Sequence, residues 1–183
     1  MRTYPPIASS DGIVLLGWKH ASGPGARWMS DVSVGTEARF TGPQRPLELA
    51  PGPVILVGDE TSVTVAASFE AERPGRGRAV FQVGSVDEVR EAAAPVGLRS
   101  CDVLARDRPD DVVEAVAIAG RATPEAAIAL TGGSELCLAV RQCLRARGIR
   151  DLKTKTYWSP AGEDWTDLAP PPLAVERAHP GFG

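Results

Sequence analysis

Histidine is almost missing from this chain: His20 and His179 are its only 2 imidazoles. Cysteine is scarce too, with 3 thiols, Cys101, Cys137 and Cys143, an odd number that cannot all pair. Cys137 and Cys143 stand six apart on a predicted helix, a rotation of about 240° that points them different ways. A metal centre is therefore not expected, and the thiols read as core or surface filler. His20, the only imidazole inside the region expected to fold, has no evident partner and reads as structural. Long apolar runs are absent as well. Nothing approaches the roughly 20 residues needed to span a bilayer. The opening Met1-Arg2-Thr3-Tyr4-Pro5-Pro6 lacks the apolar core of a signal peptide, so a cytoplasmic location is expected. Charge of one sign is not in excess, since 20 Lys and Arg face 23 Asp and Glu for a net charge of -3. The basic residues are scattered, which argues against nucleic acid or an anionic membrane as partner.

What the chain does have is apolar residues, at 43% of its 183 positions, enough for one ordinary domain and a fragment. From Pro53 onward, short apolar runs rich in Val and Ile alternate with helical patterns. Strands are predicted over residues 54–57, 79–83, 102–105, 126–130 and 152–158, and helices over 61–71, 86–94, 110–119 and 134–147, with Gly148 as a helix stop. That alternation specifies parallel strands joined by helical crossovers, hence an α/β doubly wound parallel sheet of nucleotide-binding type over residues 53–160.

The first fifty residues have another texture, extended and broken by Pro and Gly. Residues 13–18 are predicted as a buried strand, 26–31 as a short helix, 36–41 as a strand and 44–53 as a linker. Residues 166–183 are Pro-rich and polar and read as a tail.

Ligand chemistry in an open parallel sheet belongs at the C-terminal ends of the strands. Val57-Gly58-Asp59-Glu60-Thr61 turns directly from strand to helix. Leu130-Thr131-Gly132-Gly133-Ser134-Glu135 does the same, and its two glycines leave the main chain open to close approach. Such turns hold a phosphate or a nicotinamide ribose, and they also arise from turn geometry alone. Asp59 and Glu60 read first as a helix cap. Asp87 and Glu88, after the second strand of the sheet, are a cap or a ribose ligand. The dinucleotide fingerprint G-x-G-x-x-G is absent. Gly58, Thr61, Gly132, Gly133 and Ser134 are expected to line one pocket with Tyr157 and Trp158 beside it, and Cys143 is expected on the far helix turn.

Taken in order, Arg2-Thr3-Tyr4, Gly23-Pro24-Gly25-Ala26-Arg27-Trp28, Gly42-Pro43, Gly58-Asp59-Glu60-Thr61 and Tyr157-Trp158 resemble the siderophore-interacting proteins. These are ferredoxin-reductase-like flavoproteins that pass hydride from NAD(P)H to FAD and reduce ferric siderophores. The resemblance implies FAD contacts at Arg2, Tyr4, Gly25 and Ala26. It implies nucleotide contacts at Gly58, Asp59, Glu60, Thr61, Thr131, Gly132, Gly133 and Ser134, with Tyr157 and Trp158 near the flavin. Pro5 replaces the family's hydroxyl residue and supplies no N–H; Ala26 replaces a serine, and Ser159-Pro160 replaces a basic pair. The likeness begins within the flavin barrel, so residues 1–50 are expected as a partial barrel. Its open edge implies a homodimer or a partner chain that completes it. Two functions stay open: an NAD(P)H-dependent flavin oxidoreductase acting on a ferric siderophore, or a descendant without FAD or redox activity. The latter would serve as a non-redox enzyme or binding subunit in specialised metabolism, again with a small-molecule ligand.

Overall fold

Val54, Ile55, Leu56 and Val57 are all buried, as a strand covered on both faces requires, and they form the central strand of the molecule. The structure, a computed structural model, describes residues 5–9, 12–18, 24–38, 47–98, 100–107 and 109–159. Strands β1 (Pro6–Ser9) and β2 (Gly12–Leu15) make an antiparallel hairpin, followed by helix α1 (Pro24–Asp31). The larger sheet is built from β3 (Val54–Gly58), β4 (Gly77–Val83), β5 (Cys101–Ala105), β6 (Ala127–Gly133) and β7 (Leu152–Trp158). Between them run α2 (Val63–Glu72), α3 (Val86–Ala93), α4 (Pro109–Ala122) and α5 (Ser134–Ala146).

The 5 strands are parallel in the order β5-β4-β3-β6-β7. The chain winds outward from β3 to β5, then returns through α4 to β6 on the other side of β3. The order therefore reverses beside β3, and the helices fall on opposite faces. Val54, Leu56, Phe81 and Ala129 pack on one face with Val63 and Ala67 of α2 and Val89 of α3. Ile55, Val57, Val80 and Leu130 pack on the other with Val112 and Val116 of α4 and Val140 and Leu144 of α5. Gly148, at φ 85°, takes the left-handed conformation that ends α5. The exposed Lys153 on edge strand β7 discourages further strand addition.

The α/β doubly wound sheet is thus present, and each predicted helix and strand of residues 53–160 has its counterpart. The helix predicted over 61–71 begins as a 3-10 turn, Glu60–Ser62, before α2.

The first fifty residues depart from expectation. Residues 13–18 do not form a buried strand: β2 ends at Leu15, and Ile13, Val14 and Leu15 are 57%, 43% and 45% exposed. A hairpin paired only with itself covers neither side of its strands. Thr36, Glu37 and Ala38 are exposed and form no strand, having no ladder partner; residues 39–41 lie outside the described residues. The linker is not merely a connection, because Leu47 and Leu49 pack against the α2–α3 side of the core together with Leu16 and Trp18. The predicted tail over 166–183 and His20 lie outside the described residues. Among the described residues no helix is long and apolar enough to cross a membrane.

Replacing Phe81, which is fully buried, by Ala should lower unfolding free energy by about 3–5 kcal/mol. Val34→Ala, at a fully exposed position, should leave the denaturant midpoint unchanged; equilibrium denaturation of both variants checks this.

Candidate functional site

Two adjacent acids follow the central strand, and both are buried, Asp59 at 2% and Glu60 at 4% exposure. Charged groups are tolerated at such depth only when hydrogen-bonded. Asp59 caps the 3-10 turn: its Oδ1 accepts from the Thr61 N–H at 2.9 Å and the Thr61 hydroxyl at 2.5 Å. Its Oδ2 accepts from the Gly133 N–H at 2.7 Å and from Trp158 Nε1 at 2.9 Å. Glu60 reaches the other way. Its Oε1 accepts from the Gly84 N–H at 2.6 Å, and Arg106 Nη2 donates to both of its oxygens at 2.9 Å. Asp59 thereby joins the end of β3 to β6 and β7, and Glu60 joins it to the residues just after β4 and β5.

The glycines of the second turn make room for this arrangement. Gly132 sits at φ 103°, and a Cβ there would lie 2.6 Å from the Asp59 carboxyl. A Cβ on Gly133 would lie 2.8 Å from the Trp158 ring and 3.3 Å from Asp59 Oδ2. The groups that approach this main chain are therefore side chains of the protein itself. Gly58 is similar, its missing Cβ filled by the Ser62 side chain. Thr131 is fully buried, its hydroxyl 2.8 Å from Ser62 Oγ. At the end of β7 a bulge opposite Gly132 and Gly133 shifts the register so that Gly133 pairs with Trp158. Bulges re-aim side chains in this way.

A cleft of about 270 Å³ opens between α4 and α5 above the ends of β3, β4 and β5. Asp59, Gln82, Arg106, Asp110, Glu135 and Trp158 supply its polar and aromatic lining, and Val113, Leu136, Ala139 and Val140 its apolar wall. Of the five residues expected to share one pocket, only Gly133 lines it. Gly58, Thr61, Gly132 and Ser134 do not, because Asp59, Ser62 and Trp158 fill the space over the turns. Cys143 is not remote: it is exposed and lines the cleft, one face of α5 carrying both it and Leu136. Asp87 and Glu88 lie in the first turn of α3, where Ser85 caps the Glu88 N–H, and they do not line the cleft. Gly25 and Ala26 lie in the first turn of α1, away from the cleft lining. Arg2 and Tyr4 lie outside the described residues. Sequence reading missed Gln82, Arg106, Asp110 and Glu135. The available signal was a lone polar residue, Gln82, in an apolar strand run, placed by period two on the face of Val80.

Behind the cleft, burial and the Asp59 charge push the Cys137 thiol up to about 12. Burial and Cys137 push the Tyr157 hydroxyl up to about 12. Tyr157 is half-buried and does not line the cleft. Burial, followed by Asp102, also raises the Cys101 thiol. No cluster of His, Cys, Asp and Glu suited to a metal occurs among the described residues.

A five-stranded parallel sheet in this order, helices on both faces and a crevice where the order reverses, is the ferredoxin-reductase type of nucleotide-binding fold. Two solved structures share it. The siderophore-interacting protein SipS from Aeromonas hydrophila is 19% identical with a TM-score of 0.56, over 75% of this chain and 63% of that one. The siderophore-interacting protein from Acinetobacter baumannii is 17% identical with a TM-score of 0.57, over 85% of this chain and 66% of that one. This chain thus has the fold of siderophore-interacting proteins and spans somewhat less than two thirds of the length of each. No protein-family model and no curated protein matches the sequence.

Asp59→Asn would turn one accepting oxygen into a donor and orphan two buried N–H groups, a loss of roughly 2–6 kcal/mol at about 1–3 each. Trp158→Phe removes one donor from a carboxylate that keeps three others, and should cost less; denaturant titration orders the two. A second expectation concerns pH. Cys137 and Tyr157 keep their protons in the folded chain where the unfolded chain releases them, so their contribution is intact below pH 9 and lost as pH rises towards about 12. Thermal midpoints should fall across that range, and Cys137→Ala should flatten its lower part.

Proposed function

We propose that this chain belongs to the siderophore-interacting family and works as an NAD(P)H-dependent flavin oxidoreductase in the cytoplasm, with a ferric siderophore as terminal acceptor. The supporting observation is the α4–α5 cleft at the strand ends of a fold shared with two siderophore-interacting proteins. Residues 53–160 are the nucleotide-binding unit and residues 1–50 a flavin-barrel fragment. A second copy or partner chain completes the barrel beside the exposed Ile13, Val14 and Leu15 of the hairpin.

The residues present fit the ring-bearing part of a nicotinamide nucleotide. Gln82 is buried in the cleft with its Nε2 unpartnered, and Val113, Leu136 and Val140 supply apolar surface that excludes water from one side. Asp59 holds the corner formed by Gly133 and Trp158 rigid. Reduced nicotinamide, when bound, supplies the hydride that a flavin accepts. For FAD, the implied contacts are Arg2, Tyr4, Gly25 and Ala26. Pro5 and Ala26 contribute no side-chain hydrogen bond, so FAD should bind at least about tenfold more weakly than to an intact family member.

One observation favours the second reading, a family descendant without redox activity that binds a small molecule. The Asp59 carboxylate already occupies the Gly133 N–H at the entry to α5, where a phosphate would otherwise be received.

Anaerobic titration with NADH and NADPH, with and without added FAD, separates the two. The oxidoreductase reading expects quenching of tryptophan fluorescence by one nucleotide and bleaching of the visible flavin band. Absence of both at millimolar nucleotide would overturn it in favour of the second.

A further inference from the structure

The cleft contains one polar side chain that the protein leaves unsatisfied. Gln82 is 7% exposed, lines the cleft, and its Nε2 has no hydrogen-bond partner among the described residues. Buried amides are ordinarily paired, and a native exception calls for an account. Gln82 follows Val80 by period two on β4, so it stands on the α4–α5 face at the point where the apolar floor ends.

The charges around it select a ligand. Asp59, Asp110 and Glu135 place three carboxylates on the same space. Arg106 is the one cation among the lining residues, and both oxygens of Glu60 already share its guanidinium. A phosphate entering here would face net negative charge with no uncommitted guanidinium to meet it. The cleft, at about 270 Å³, also lies below the roughly 300–1,000 Å³ of ordinary small-molecule sites. It has room for a ring system and little more.

We propose that the α4–α5 cleft binds a planar ring with an uncharged amide-like edge, a nucleobase or a nicotinamide, read by Gln82 while phosphate groups remain outside. The side-chain amide carries a donor and an acceptor side by side, the complement of an adenine edge or of a carboxamide. Trp158 and the apolar wall of Val113, Leu136 and Val140 cover the ring. This deepens the proposed cofactor-binding role and rests on it for the source of the ring.

Calorimetric titration of the full chain with adenosine, nicotinamide, AMP, NADH and NADPH tests it. Adenosine or nicotinamide should bind, and which of them does identifies the source. AMP should bind about tenfold more weakly than adenosine if the base is the ligand. Gln82→Leu, similar in size and without the orphan amide, should weaken ring binding about tenfold or more and leave the thermal midpoint equal or higher. Asp110→Asn combined with Glu135→Gln, both on exposed helix turns, should bring AMP back towards adenosine. The proposal is overturned if neither ring compound binds, if AMP binds more tightly than adenosine, or if Gln82→Leu leaves binding unchanged. NADH binding that ignores Gln82→Leu would sink this inference and spare the oxidoreductase reading; ring binding lost in Gln82→Leu without any NADH binding would do the reverse.

Discussion

Asp59 and Glu60 are neighbouring anions removed from water, and the tertiary structure is organised around satisfying them. Each has several kcal/mol of hydration to replace, on the order of magnitude that buried ions demand. Asp59 does so with four donors from three places in the chain: its own turn, the start of α5 and the end of β7. Glu60 does so with the Gly84 N–H and the Arg106 guanidinium. Because they point in opposite directions, they bind the C-terminal ends of all 5 strands to one dipeptide. The requirement explains several residues at once: no side chain at Gly132 or Gly133, a bulge that swings Trp158 inward, and a cation immediately after β5.

The same constraint shapes the candidate site. In an open parallel sheet the entry to a helix beside the switch point is a natural anion receptor. Here a carboxylate of the protein fills it. What remains open is the neighbouring space between α4 and α5, whose floor is Gln82 and whose rim carries Asp110 and Glu135. Any ligand therefore approaches a surface that the protein has made acidic, and meets neutral hydrogen-bonding groups at its base. The fold likeness to siderophore-interacting proteins places this cleft in a setting suited to nucleotides, while its charge narrows which part of a nucleotide it can hold.

The first fifty residues are attached to the sheet more lightly. Pro6 accepts a hydrogen bond from Ser68 of α2 at 3.1 Å, Ile7 reaches the core, and Leu16, Trp18, Leu47 and Leu49 pack beside it. Ile13, Val14, Leu15 and Trp28 remain exposed. Apolar side chains left in the open on a two-stranded hairpin are what an incomplete sheet presents, and they are the physical basis for proposing a partner there.

The sequence by itself determined the parallel sheet. Apolar runs such as Val54–Val57 and Ala79–Val83, separated by helix-length amphipathic stretches, leave few alternatives to helical crossovers, because that periodicity is local and survives any arrangement. It also marked the two strand-to-helix turns and the cap at Asp59. It could not say what the turns were for. Whether Gly132 and Gly133 admit a ligand or a side chain depends on where Asp59 and Trp158 lie, residues 74 or so and 25 or so positions away along the chain. Nor could it separate the hairpin from a buried strand, since Ile13–Leu15 is apolar in either case and exposure is decided by what packs on it. Gln82 shows the division most clearly. Period two assigned it a face, but only the folded chain put α4, α5 and three carboxylates around that face, since such juxtaposition arises from contacts between distant segments and leaves no local pattern.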